Sequence, residues 1–128
     1  MSKRTTFGLG LAIFILALVQ IAEAQQTKKV PKIAVLRPMA SSDFLTEAFR
    51  QGLRQLGYIE GRNISIDYRF TAGQEHRLPE IAAELAQPNV DVIVVSSTPA
   101  ARAVLAATKT VPIVFVAVSD PVVSGLVS

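Results

Sequence analysis

The chain has 128 residues, half of them apolar and 18% charged, with a formal net charge of +3. That length suits one small domain with a single core. The absence of cysteine excludes disulfides. A single histidine, without cysteine, disfavours a metal site. The basic residues are scattered and do not form a nucleic-acid surface.

The N-terminal residues have the pattern of a secretory signal peptide. Lys3 and Arg4 precede an apolar run from Phe7 to Ile21, and a small-x-small sequence ends at Ala24. The alternative is a membrane anchor, but the run is shorter than the roughly 20 apolar residues of a span. We therefore expect cleavage after Ala24 and export to the periplasm.

The first half of the remaining chain predicts a strand, a helix and a second strand. Residues 33–36 are continuously apolar, as in a strand buried on both faces. Three possible N-caps at 41–43 then precede a helix with one apolar face, which ends at Gly57. Residues 64–70 alternate between apolar and polar, which indicates a strand near an edge of the sheet.

The second half repeats the alternation. A helix is predicted at 77–86, with Pro79 in its first turn, and a buried strand at 90–95. An alanine-rich helix from Pro99 to about Ala107 leads to a third buried strand at 113–118.

Strands that alternate with helices of about ten residues indicate parallel pairing and right-handed crossovers. The predicted fold class is therefore α/β, an open doubly wound parallel sheet. The strands at 33–36, 90–95 and 113–118 are expected at its centre, and the strand at 64–70 toward an edge. The predicted organisation is a signal peptide at 1–24, an N-terminal arm at 25–31 and an α/β lobe at 32–128.

Ligands of such sheets bind outside the carboxyl ends of the strands, and small hydroxyl residues recur there in this sequence. Thr98 is predicted to cap the following helix with Pro99 in its first turn, so the N–H groups of Ala100 and Ala101 would face a carboxylate or phosphate. Asp120 either caps a turn before Pro121 or pairs with a ligand amine, and the sequence leaves both open.

Catalytic motifs are missing from the sequence. It has no G-x-S-x-G, no P-loop and no G-x-G-x-x-G after the first strand, and His76 is expected at the surface. We therefore expect no enzyme activity and no cofactor. One alternative is a secreted hydrolase with Ser96 or Ser97 as nucleophile, but the sequence offers no adjacent base. Another is a signalling receiver domain, but the sequence has no acidic cluster after the first strand.

Six segments, taken together in this order, resemble the substrate-binding proteins of bacterial ABC importers, in the subfamily with tryptophan- and tyrosine-binding members. They are residues 49–64 (FRQGLRQLGYIEGRNI), 77–85 (RLPEIAAEL), 90–94 (VDVIV), 98–101 (TPAA), 110–114 (TVPIV) and 119–127 (SDPVVSGLV). The resemblance extends over nearly all of the chain from Lys32 to Ser128.

This resemblance implies a periplasmic-binding-protein-like type I lobe that binds a small solute, such as an aromatic amino acid, and an inner-membrane ABC permease as partner. The implied ligand contacts lie at the strand ends, at Ala40, Ser41, Ser96, Ser97, Thr98, Ser119 and Asp120. Family members are about twice as long or longer and carry a second lobe. A truncated product with one wall of the cleft is therefore expected, and a non-functional remnant is the alternative.

Overall fold

A computed structural model describes residues 29–127 of the chain. The predicted signal peptide and residues 25–28 of the predicted arm lie outside the described residues. Within the described part of the chain, no helix is long and apolar enough to cross a membrane.

The described chain alternates strands and helices in the predicted order. The strands are β1 (Lys32–Arg37), β2 (Ser65–Phe70), β3 (Val92–Val95) and β4 (Ile113–Phe115), and the helices are α1 (Phe44–Gln55), α2 (Leu78–Leu85) and α3 (Thr98–Ala107). A short 3-10 turn at Glu75–Arg77 precedes α2, and Pro79 lies in the first turn of α2 as predicted.

The four strands form one parallel sheet in the order β2-β1-β3-β4. This confirms the doubly wound α/β class and the prediction that β2 lies at an edge. The chain moves from β1 to one side of the sheet and from β3 to the other. β1 and β3 are therefore the two central strands.

One face of the sheet carries the core. Alternate residues of the central strands, Ala34 and Leu36 on β1 and Ile93 and Val95 on β3, are fully buried on it. The buried stripes of α2 and α3 cover this face and pack against each other. Most of the hydrophobic stabilisation of the lobe comes from this layer.

The opposite face is only partly covered, because α1 is the only described helix that connects strands on that side. Four strands span about 15–19 Å and one helix is about 10 Å wide, so α1 shields roughly half of this face. The predicted apolar face of α1 is accordingly incomplete: Phe44 is 79% exposed and Leu45 53% exposed, while Phe49 and Leu53 are half-buried.

The prediction for the last strand was wrong in length and in burial. β4 ends at Phe115 instead of 118, and Val114 and Val116 are each 47% exposed. Apolar content predicted a strand buried on both faces, but β4 pairs only with β3 among the described residues and lies beyond the width that α1 covers. Among the strands of residues 29–127, it lies at an edge of the sheet.

The starts of β1 and β3 are joined by Asp91. Its carboxylate accepts hydrogen bonds from Lys29 Nζ and from the backbone N–H of Lys32, both at 2.8 Å. These two donors, the lysine side chain first, hold the pKa of Asp91 below its usual 3.8.

We expect Asp91→Asn to make the unfolding free energy of the lobe less dependent on pH in acid. Because the folded pKa is depressed, the stabilisation is complete above about pH 4 and is lost as the pH falls through the folded value. Urea unfolding followed between about pH 6 and pH 2.5 measures this difference. Glu75→Gln serves as the control, since Glu75 makes no ion pair within residues 29–127. If the unfolding free energy of Asp91→Asn fell in acid as steeply as that of the wild type, the role given to Asp91 would be contradicted.

Candidate functional site

The strand order defines a crevice at the carboxyl edge of the sheet. The connection after β1 leads toward β2 and the connection after β3 leads toward β4, so the two loops diverge between neighbouring strands. Such a switch point is where open α/β sheets bind ligands. The loop that carries Ala40 and Ser41 borders one side of the crevice, and Ser96–Thr98 border the other.

The loop after β1 is fixed at its two ends by one ion pair. The Arg37 guanidinium donates from Nη1 and Nη2 to the two carboxylate oxygens of Asp43, and Nη1 also donates to Thr46 Oγ1 at 2.7 Å. Asp43 is the N-cap of α1 and accepts a hydrogen bond from the N–H of Thr46. This bond first, and then the hydrogen bond from Arg37, lower the pKa of Asp43. Ala40 and Ser41 lie exposed between these ends.

The turn from β3 into α3 differs by one residue from the prediction. Ser97, with an extended backbone, is the N-cap, and its Oγ accepts the N–H of Ala100 at 3.3 Å, so Thr98 is already helical. The hydroxyls of Ser97 and Thr98 are both able to cap the helix. Ser97 is the cap because the N–H of Ser96 still donates to Leu36 O in the β1–β3 ladder, so the chain leaves the sheet at Ser97. Ser97 is therefore the first residue beyond the sheet.

The shifted cap also corrects the expected free donors. The N–H groups of Ala100 and Ala101 are bonded to Ser97 Oγ and Ser97 O, and Pro99 has none. Within residues 29–127, the N–H of Thr98 finds no acceptor. One backbone donor at the positive end of α3 is thus available at the crevice.

Ser119 and Asp120 lie farther from the sheet than predicted. β4 ends at Phe115, and both residues are exposed in the segment that follows. Asp120 Oδ1 accepts the N–H groups of Val122 and Val123 at 3.0 and 3.1 Å, which is the turn-capping role that the sequence left open.

A cavity of about 320 Å³ opens between α1 and the uncovered part of the sheet. Its apolar lining includes Leu45, Phe49 and Val94, and its polar lining includes Arg37 and Ser96. Of the seven predicted contacts, Ser96 is the one that lines this cavity. Met39 and Ala117 also line the cavity and were not predicted as contacts, because neither residue type carries a binding signal.

Tyr68 closes the cavity on the β2 side. The centre of its ring lies 4.5 Å from the guanidinium carbon of Arg50. Arg50 Nε also donates a hydrogen bond to the phenol oxygen of Tyr68 at 3.1 Å. Burial raises the pKa of Tyr68, and the hydrogen bond from Arg50 opposes that shift. The phenol therefore stays neutral over the physiological range.

Two buried hydroxyls have no hydrogen-bond partner within the described part of the chain, and both follow a strand at the carboxyl edge. They are Ser96 Oγ after β3 and Thr71 Oγ1 after β2. A buried unpaired hydroxyl costs about 1–3 kcal/mol, so such atoms generally have a partner. Two hydroxyls at this edge of the sheet are thus able to bond a further polar group. Thr71 was absent from the predicted contacts, although its position directly after β2 could have indicated it.

The structure brings the predicted residues to one edge, but not to equal depth. Leu36, Val95 and Phe115 are adjacent in register, so the chain leaves β1, β3 and β4 at the same level. Ser96, Ser97 and Thr98 lie directly at that level. The remaining four predicted contacts, Ala40, Ser41, Ser119 and Asp120, lie in the exposed segments beyond it.

The known proteins to which this chain is similar are substrate-binding proteins. The family model for ABC transporter substrate binding proteins matches residues 32–128. The tyrosine-binding protein of Clostridioides difficile (strain R20291) is 38% identical over 87 residues, which are 68% of this chain and 25% of that protein. The chain thus spans about a quarter of the curated relative's length.

Solved structures show the same similarity in three dimensions. A ligand-free, open substrate-binding protein with adhesive properties from Clostridium difficile matches at TM-score 0.71 and 36% identity, and an ABC domain in complex with L-Trp from Streptococcus pneumonia at 0.70 and 28%. Each match covers 77% of this chain and 34% of the other. With its parallel sheet and its matched residues 32–128, the chain belongs to the ABC transporter substrate-binding protein family.

Proposed function

We propose that this lobe is the periplasmic substrate-binding part of an ABC-type importer and that its solute is an aromatic amino acid. The tyrosine-binding relative and the neighbour solved with L-Trp support this class of solute. The lobe forms one wall of an interlobe cleft, and the other wall corresponds to the part of the relatives' chains that this sequence does not match.

The observation that carries the proposal is the unused polar capacity at the switch point. Ser96 Oγ is buried without a partner, and the Thr98 N–H at the start of α3 has no acceptor among residues 29–127. A carboxylate placed there gains a hydrogen bond and the favourable end of the helix dipole. The apolar cavity beside Ser96 accepts part of an aromatic side chain.

The other predicted contacts complete the proposed wall. Ala40 and Ser41 approach the solute from the loop after β1, and Ser97 adds polar backbone at the cap of α3. Ser119 and Asp120 contribute from the segment after β4, where Asp120 retains a second carboxylate oxygen, Oδ2, for the solute ammonium while Oδ1 holds the turn.

The proposal extends to processing and partners. Residues 1–24 direct export, residues 25–31 form an arm, and the lobe from residue 32 docks with its second wall on an inner-membrane permease. A serine hydrolase is not supported, because β1 separates the β2 connection that carries His76 from Ser96 and Ser97. Fractionation of a tagged full-length chain tests the location: a processed form released with the periplasm is expected.

Solute binding is tested by NMR titration of residues 25–128 with L-tryptophan and L-tyrosine. One wall encloses a solute poorly, so we expect millimolar affinity, seen as shifts at the amides of 40–41, 71–72 and 96–98. The double variant Ser96→Ala with Thr98→Pro, which removes the unpaired hydroxyl and the free N–H, is expected to lose the shifts.

Ser65→Ala is the matched control, since Ser65 is an exposed hydroxyl residue at the opposite, amino edge of the sheet. It is expected to retain the full response. Shifts centred on the amino edge, or no response to either amino acid, would overturn the proposed function.

A further inference from the structure

A charged side chain is buried at the carboxyl end of β1. Arg37, the last residue of β1, is only 9% exposed, and it lines the apolar cavity. A buried guanidinium is costly unless it is paired, and here two of its nitrogens are bonded to one carboxylate.

The acceptor of this pair has a second task. Asp43 Oδ1 caps α1 by accepting the Thr46 N–H at 3.0 Å, and it also accepts Thr46 Oγ1 at 3.0 Å. Thr46 is 2% exposed and in turn accepts from Arg37 Nη1. The end of β1 and the start of α1 are therefore joined through three buried or half-buried side chains.

The residues between these two ends form the exposed loop 38–42. Its backbone is bonded near the entry to the connection that follows β2, where Ala72 N donates to Met39 O at 3.0 Å. Beyond Met39, the side-chain bonds that the loop residues make are exposed and longer, such as Ser42 Oγ to Glu47 of α1 at 3.2 Å. The shape of the segment that carries Ala40 and Ser41 thus depends on how its ends are held.

We infer that Arg37 is a positioning residue, which holds the loop 38–42 in the shape that presents Ala40 and Ser41 to the crevice. This inference rests on the proposed function. The two parallel N–H to carboxylate bonds fix orientation as well as distance, which a point charge does not do. Buried ion pairs add little to stability compared with apolar residues of similar size, so a role in geometry explains the pair better than a role in stability.

The test compares Arg37→Met and Arg37→Lys with Arg69→Met. Arg69 is the matched control because it lies next to Leu36 on the neighbouring strand and pairs with Asp67 and Glu84 away from the loop. Hydrogen exchange of the loop is measured without solute at the two amides whose hydrogen bonds hold its ends, Ala72 N–H to Met39 O and Thr46 N–H to Asp43 Oδ1, and L-tryptophan affinity is measured by NMR titration. For Arg37→Met we expect about tenfold faster loop exchange and weaker solute affinity, with partial recovery in Arg37→Lys.

A merely structural role would accelerate exchange evenly through α1 and the sheet, without a preference for the loop; a lower melting temperature is expected under either role. That pattern, or unchanged loop exchange in Arg37→Met, overturns the inference. If Arg37→Met does not fold, loop exchange in Arg37→Lys equal to that of the wild type overturns it. If no solute shifts the wild-type spectrum, the proposed function fails, while the exchange data still decide what Arg37 does to the loop.

Discussion

Replacing Ile93 by alanine is expected to remove about 2–5 kcal/mol from the unfolding free energy of the lobe. Ile93 is fully buried on a central strand, under α2 and α3. The substitution loses the transfer free energy of the deleted carbon atoms and leaves a cavity that the surrounding strands cannot close. Since domains of this size are stable by only about 5–15 kcal/mol, a large part of the population is expected to unfold on mild heating.

Urea unfolding monitored by circular dichroism measures this loss. The matched control is Ile59→Ala, the same chemical change at a position that is 40% exposed. It is expected to cost less than about 1 kcal/mol. Equal midpoints for the two variants would show that the face under α2 and α3 is not the main core.

The second large effect is expected from enlarging a buried alanine. Ala101 lies on the buried side of α3 and is 0% exposed, one helical turn from the cap at Ser97. Ala101→Leu adds three carbon atoms inside the packed core, which is expected to force α3 away from its neighbours and to cost about 1–3 kcal/mol. Because α3 carries the candidate site at its start, the L-tryptophan response is expected to decrease as well.

Ala106→Leu is the control for this substitution. It makes the same change on the same helix at an exposed position, and alanine and leucine have similar helix propensities. Thermal unfolding and the solute titration are expected to match the wild type. A destabilisation as large as that of Ala101→Leu would mean that helix propensity rather than packing is responsible.

The order of the elements and the edge position of β2 were predictable because they depend on local pattern. Continuous apolar runs and the alternation at 64–70 reflect how many faces a strand buries. The same rule failed for β4, since the apolar run at 113–118 does not say whether a helix lies over both faces. Val114 and Val116 are exposed because that cover is missing among the described residues.

The candidate site was predictable in position but not in detail. Strand ends and small hydroxyl residues indicated the carboxyl edge, which the strand order then narrowed to one crevice. The choice of Ser97 over Thr98 as the cap required the register of the ladder. The Arg37–Asp43 pair was not predictable, because neither residue carries a periodic signal and their contact depends on the path of the loop.

The central position of β1 has a consequence for how the lobe reaches its native state. Ile33 pairs with Ile66 on one side and with Val92 on the other, so β1, the first of the described strands to be synthesised, obtains its second partner only after most of the lobe exists. Every ladder in the sheet joins residues distant in sequence, and such topologies fold slowly because loop-closure entropy is lost before the contacts form. The nascent lobe thus keeps an apolar strand unpaired for longer than a hairpin-based fold of the same size.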